Sequence, residues 1–247
     1  MNSPHAYSPE QIDAVYRAIS ERRDVRHFRP DPVDEAVLQR LLQAAHAAPS
    51  VGLMQPWRFI RIRNPDLRRQ LHAEIERERQ RTAEALGQRS DEFMQLKVQG
   101  VLDCAEVCVV TLMNERERHV FGRRTMPEMD LASASCAVQN LWLAARAEGI
   151  GVGWVSIYEP AAVSELLQLP EGARAIAILC IGHVDAFYDK PMLELEGWAE
   201  RGKLDDYVMV DSWQPEKAER AQQQWRDAQQ RQQQGADKNG SQESGRE

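Results

Sequence analysis

The segment Arg22-Arg23-Asp24-Val25-Arg26 places three guanidiniums and one carboxylate within five residues. Guanidinium forms bidentate, charge-assisted bonds to phosphate and other oxygen-rich groups. The cluster follows a helical pattern and precedes a turn at Pro30. It can therefore grip an anionic ligand, or it can be a surface run with an internal ion pair. A second segment, Ala48 to Trp57 (APSVGLMQPW), holds two prolines, a glycine and an amide. Such a loop can offer backbone N–H groups and the Ser50 and Gln55 side chains to a flat heteroaromatic ring, or it can be a tight connection. The third segment, Gly149 to Ser156 (GIGVGWVS), carries three glycines that let backbone approach a ligand closely. It is not G-x-G-x-x-G and leads from helix to strand, which disfavours a dinucleotide fold. The sequence lacks G-x-x-x-x-G-K-[ST], H-E-x-x-H and G-x-S-x-G, and Ser156 has no evident His/Asp partner nearby, so a hydrolase triad is not supported.

These segments need elements to hold them. Ile12, Val15, Tyr16 and Ile19 follow i, i+3, i+4, i+7, which predicts one buried helix face, started by Ser8-Pro9. A second helix is expected from an N-cap at Asp34 through Leu38, Leu41, Leu42 and Ala45, ended by Pro49. Trp57 to Arg63 reads as a strand. Pro65 opens a helical stretch that turns very polar and runs to about Lys97. Residues 74–97 are either a solvated helical hairpin or a mobile lid over a site. Glu106 to Met113 is a buried strand. Asp130 is placed as the N-cap of an apolar helix carrying Ala134, Val138, Leu141, Trp142 and Ala145 on one face. That helix is closed by Gly149 to Gly153. Trp154 to Tyr158 and Arg174 to His183 are strands, Pro160 to Leu169 a short helix, and Tyr207 to Val210 a last short strand. The interleaving has no regular βαβ rhythm, so an α+β sandwich fits better than a doubly wound sheet. Trp57, Trp142 and Trp154 are expected in the core.

The 247 residues are 43% apolar with a net charge of −7. That length can close a substantial core. The acidic balance argues against nucleic acid as the main partner. No apolar run is long enough to span a membrane, and Met1 to Glu10 has no signal-peptide h-region. Cys104, Cys108, Cys136 and Cys180 show no metal-like spacing, and all four lie in apolar context where buried thiols are expected. A reduced, cytoplasmic protein without a metal centre is the expectation. From Pro215 the chain holds nine glutamines and few aliphatic residues. Residues 214–247 are therefore expected to be a polar tail, helical at first and then disordered, with a partner-binding helix around Trp225 as the alternative.

Together the three segments resemble the flavin-dependent nitroreductase family over roughly residues 11–212. Within it, RRDVR, APSVGLMQPW, MDLASASCAVQNLWLAARAEGIGVGWVSI and EGWAERGKLDDYV resemble the branch that fragments flavin. The resemblance implies an α/β/α sandwich with a mixed, mostly antiparallel sheet, covering residues 7–213, with a helical lid at about 74–97. It implies a homodimer with FMN at the interface. It also implies that reduced FMN is consumed with dioxygen to give 5,6-dimethylbenzimidazole and erythrose 4-phosphate, the electrons arriving from a separate flavin reductase.

On that resemblance, Arg22, Arg23 and Arg26 hold phosphate and ribityl oxygens, with Val25 among them. Asp24 is a general base whose pKa the neighbouring arginines should depress. Ser156, beside Val155, hydrogen-bonds the flavin's reactive edge. Ser50, Met54 and Gln55 line the ring, and Lys97 and Arg201 contact flavin oxygens or phosphate. The competing function is a conventional NAD(P)H-dependent nitro- or quinone reductase that recycles its FMN. A flavin-binding or assembly module acting through the tail is a further alternative.

Overall fold

The computed structural model describes residues 4–95 and 98–227. The chain divides into two compact units, Met1–Phe187 and Tyr188–Glu247.

In the first unit, helix α1 (Pro9–Glu21) starts in a capping box. The Ser8 side chain accepts from the Gln11 N–H, and the Gln11 side chain accepts from the Ser8 N–H. Its apolar stripe is not buried: Val15, Tyr16 and Ile19 are 48%, 67% and 48% exposed. The periodicity specified the helix correctly, but the face expected in the core lies on the surface of the single chain. Helix α2 (Glu35–His46) is capped by the Asp34 side chain, as expected, and buries Leu38, Leu41 and Ala45. Strand β1 spans Trp57–Arg61.

Helix α3 (Pro65–Leu86) begins on Asn64, whose side chain accepts from two backbone N–H groups, and runs 22 residues. It buries only Leu71, Glu74, Ile75 and Ala83. Its polar surface is laced with i,i+3 pairs, among them Arg79–Glu76 at 3.0 Å and Arg81–Glu78 at 3.6 Å. Gly87, at φ +57°, stops it. Helix α4 (Ser90–Gln95) then packs on α3 through buried Phe93 and an Arg79 guanidinium that donates to the Met94 carbonyl. Residues 74–95 thus have the form of a helical hairpin.

Helix α5 (Gly100–Asp103), strand β2 (Glu106–Leu112), helix α6 (Met129–Ala147), strand β3 (Gly151–Val155), helix α7 (Pro160–Leu166) and strand β4 (Arg174–Gly182) complete the unit. The sheet order is β1-β2-β4-β3, antiparallel at every pairing, with a bulge at Val110/Thr111. Among the described residues its parallel component is the bridge between Asp24 and Val152. Successive β2 residues face opposite sides. Cys108 and Val110 enter a core with Leu41, Trp57, Val138, Leu141 and Leu179 from α2, α6 and the sheet. Val107 and Val109 enter a second core with Leu71, Ile75, Val101, Val163 and Ile178. Two apolar faces, each covered by helices, make an α+β sandwich of three layers. Burial on both faces explains why β2 and β4 read as unbroken apolar runs.

Several sequence expectations need correction. β3 begins at Gly151, three residues before the expected strand, so Gly151 and Gly153 belong to the sheet rather than to the helix end. Tyr207 to Val210 pairs with no strand among the described residues: a 3-10 turn at Leu204–Asp206 precedes it, and Tyr207, Val208 and Val210 are exposed. Cys104, Cys108 and Cys180 are buried, but Cys136 is exposed on α6. Burial pushes the Cys108 thiol up to about 12, so it is inert at neutral pH.

In the second unit, helix α8 spans Met192–Leu195. Residues 215–227 are helical, and the rest of the glutamine-rich tail lies outside the described residues. Buried Asp206 accepts from Arg220 at 2.7 Å and Gln224 at 3.3 Å, which ties that helix to the turn before it.

Candidate active site

The arginine segment runs along the outer edge of β3. The Val25 N–H donates to the Val152 carbonyl at 3.0 Å. The Trp154 N–H donates to Asp24 Oδ1 at 2.8 Å, and Arg26 Nη2 donates to Asp24 Oδ2 at 2.6 Å. Both Asp24 oxygens are therefore held, one by backbone and one by charge. Burial is the largest influence on this carboxyl and pushes its pKa above the ordinary value, against the opposing pull of Arg26, the Trp154 N–H and Arg22. The expected depression by neighbouring arginines is reversed, because desolvation at the sheet edge outweighs them.

The glycines explain how the segment comes so close. A Cβ on Gly153 would stand 2.3 Å from the Val25 carbonyl oxygen. One on Gly151 would meet Val184 Cγ1 at 2.5 Å and Val25 Cγ2 at 3.2 Å. Gly149 ends α6 in the left-handed region at φ +74°, with nothing within 4 Å of its missing Cβ. Gly151 and Gly153 thus admit neighbouring parts of the chain, and Gly153 admits the arginine segment itself. Val25 and Val155 are buried, and Ser156, the first residue past β3, is exposed.

Trp142 of α6 supports the same segment. Its Nε1–H donates to the Arg23 carbonyl at 3.0 Å, and the Arg22 guanidinium lies 4.5 Å from its ring centroid. Arg23 turns back to α1, donating to the Ser20 carbonyl at 2.7 Å and to the Arg22 carbonyl at 2.8 Å. Of the three arginines, Arg22 and Arg26 therefore flank Asp24, whereas Arg23 braces the turn.

The proline-glycine loop is built separately. Ser50 Oγ accepts from the Gln55 N–H at 3.0 Å. Ser133 Oγ, buried on α6, accepts from the Val51 N–H at 3.1 Å. Gly52, Leu53 and Gln55 have φ of +53°, +53° and +50°. Two non-glycine residues in that region cost on the order of 1–2 kcal/mol each. Met54 is buried and Leu53 is 79% exposed. Ser133 and Trp142 are nine residues apart on α6, about 14 Å along the axis, so one chain holds its two anchored segments well apart. Arg201 is exposed in the second unit, and Lys97 lies outside the described residues.

Sequence reasoning misassigned Asp130. It is not an N-cap; α6 starts one residue earlier, and the Asp130 carboxylate is buried between Arg116 (3.1 Å) and Arg123 (2.8 Å). Arg116 also donates to the Met113 and Gly172 carbonyls. This cluster fixes the first turns of α6, from which Ser133 reaches the loop. Four arginines and an aspartate spread over residues 116–130 were visible in the sequence, but which of them pair is not a local matter. Ser133 and Trp142 carried no signal beyond a helical face.

The donors present fit a flavin mononucleotide. Guanidiniums at Arg22 and Arg26 match phosphate oxygens, and a strained loop of N–H, hydroxyl and amide groups matches a polar ring edge. Residues 19–183 match the model of the nitroreductase family, and the chain belongs to that family. The solved structure of iodotyrosine deiodinase bound to FMN and 3-iodo-L-tyrosine superposes with a TM-score of 0.65 at 21% identity, covering 81% of this chain and 100% of that one. Within the family, the chain is 41% identical over 190 residues to the 5,6-dimethylbenzimidazole synthase of Rhodobacter capsulatus, covering 76% of this chain and 92% of the relative. It is 38% identical over 205 residues to the synthase of Rhodospirillum rubrum, covering 81% and 96%. A Bacillus subtilis relative named for NAD(P)H nitroreductase activity is more distant, at 28%.

Proposed function

We propose that this chain converts reduced FMN and dioxygen into 5,6-dimethylbenzimidazole, with erythrose 4-phosphate as the other fragment. The observation that carries the reading is Asp24, a carboxyl fixed at 2.8 Å by the Trp154 N–H and at 2.6 Å by Arg26 inside an arginine segment. Desolvation gives it a higher proton affinity than an exposed aspartate, which suits a general base. Arg22 and Arg26 bind phosphate and ribityl oxygens, with Arg23 bracing them. Ser50, Met54 and Gln55 border the ring, Val155 backs it, and the exposed Ser156 hydroxyl presents a hydrogen bond to the ring's reacting edge. Bound reduced flavin supplies both the electrons for dioxygen and the carbon skeleton of the product.

The active form in this reading is a homodimer. The exposed α1 stripe and the separation of the two anchored segments support it, since a second chain can bury the one and complete the other. Residues 7–213 form the flavin domain, residues 74–97 cover the site, and Lys97 and Arg201 add contacts to flavin oxygens. No described helix is long and apolar enough to cross a membrane. The proposed setting is the cytoplasm, without metal, with a separate flavin reductase as electron source.

The test is aerobic incubation with excess reduced FMN and mass spectrometry of the products. Wild type should yield dimethylbenzimidazole, and Asp24→Asn should yield reoxidised FMN. Intact flavin with wild type, together with many NADPH-driven turnovers on a nitroarene, would replace this reading with a recycling reductase.

A further inference from the structure

The mechanism proposed above makes no use of Trp142, yet this side chain touches the site twice. Trp142 is 8% exposed, so it counts as core by burial alone. Its edge and its face nevertheless both point at the arginine segment. The indole N–H holds the Arg23 carbonyl at 3.0 Å, and the ring lies 4.5 Å under the Arg22 guanidinium. A guanidinium at that distance is attracted by the negative face of the indole. The same ring packs at 6.2 Å and 45° on Trp154, whose backbone N–H holds Asp24. One side chain of α6 thus touches Arg22 directly and packs on the residue whose backbone holds Asp24.

We infer that Trp142 is a positioning residue: its ring sets the Arg22 guanidinium in the orientation that receives the phosphate of the flavin, and so makes the site discriminate FMN from riboflavin. An arginine side chain left to itself samples many rotamers, and fixing it beforehand removes an entropic cost from binding. The inference rests on the assignment of Arg22 to the phosphate.

The measurement is the affinity of the full chain for FMN and for riboflavin, by flavin fluorescence, compared as a ratio. Riboflavin lacks the phosphate, so damage to the ring pocket weakens both ligands equally and leaves the ratio unchanged. Trp142→Leu removes the aromatic face, and the ratio should fall about tenfold. Phenylalanine and pentafluorophenylalanine at position 142 pack alike, but fluorination reverses the charge of the ring face. The ratio should be largely kept by the first and lost by the second, which tests the idea even if the leucine variant does not fold. Arg22→Met should lose at least as much as pentafluorophenylalanine, and the two combined should lose no more than Arg22→Met alone. A ratio unmoved by fluorination while Arg22→Met abolishes it overturns the role of Trp142 alone. A wild type that binds both ligands equally overturns the phosphate assignment, and this inference with it.

Discussion

Gly153→Ala should separate the arginine segment from the sheet, and its size can be worked from the structure. The added methyl would lie 2.3 Å from the Val25 carbonyl oxygen, whereas carbon–oxygen contacts settle at about 3.3 Å. Backbone must move by about 1 Å. That movement strains the bond from the Val25 N–H to the Val152 carbonyl and the bond from the Trp154 N–H to Asp24. A backbone bond contributes about 1 kcal/mol and one to a charged group about 1.5–3 kcal/mol. Together with residual overpacking, the loss should be about 3–5 kcal/mol, or roughly 10 °C in melting temperature for a domain of this size. A 1 Å misplacement of a catalytic group costs about a hundredfold in rate, so dimethylbenzimidazole formation should fall by that order. Neighbouring glycines grade the effect. Gly151→Ala crowds the side-chain methyls of Val184 and Val25, with the Gly182 carbonyl oxygen at an ordinary contact of 3.4 Å, and should cost about 1 kcal/mol as the methyls rotate away. Gly149→Ala meets nothing. It should cost only the left-handed strain, about 1 kcal/mol, and leave activity intact. Urea denaturation and product yield on the three variants decide the matter. A Gly153→Ala protein as stable and active as wild type would refute the account of why this glycine is there.

Asp130→Ala should lose about 3–5 kcal/mol in urea denaturation, because it leaves two mostly buried guanidiniums without their carboxylate; a loss under 1 kcal/mol would show the cluster to be dispensable. Asp24→Asn should gain stability relative to wild type as pH rises from about 4 towards neutrality. The reason is its sign: a carboxyl raised by burial stabilises the fold below its unfolded pKa and loses that contribution as pH climbs through the folded value. The opposite trend in denaturation midpoints would mean the arginines dominate. Ser156→Ala, at an exposed position, should leave the melting temperature unchanged while lowering product formation. Dialysis against a strong chelator should leave product formation at its untreated level.

The sequence made the apolar layers legible because burial on both faces writes itself as unbroken runs at 106–113 and 174–183. It made the caps at Ser8 and Asp34 legible because capping is a local bond. It misled wherever the partner is distant. The stripe on α1 has correct helical spacing, but periodicity does not say what covers a face. Asp130 stood where a cap would stand, and only the fold brings Arg116 and Arg123 to it. Tyr207 to Val210 has strand-forming residue types but no neighbour among the described residues to pair with. Of the glycines of 149–153, Gly151 and Gly153 are places of close approach within the chain, to valine side chains and to the Val25 carbonyl, whereas Gly149 ends a helix in open space. The reversal at Asp24 has the same origin: counting neighbouring arginines ignores how much water the fold removes.

The order β1-β2-β4-β3 leaves β3 with an open rim, and an open rim of valine and tryptophan is an invitation to pair with other molecules. Here the rim is sealed by residues 24 and 25: the Val152 carbonyl is taken by backbone, and the Trp154 N–H by a carboxylate. The arginine segment, whatever else it holds, is therefore also a guard against aggregation. Variants that loosen this strap should precipitate on storage before they unfold, and colloidal behaviour constrains this motif alongside chemistry.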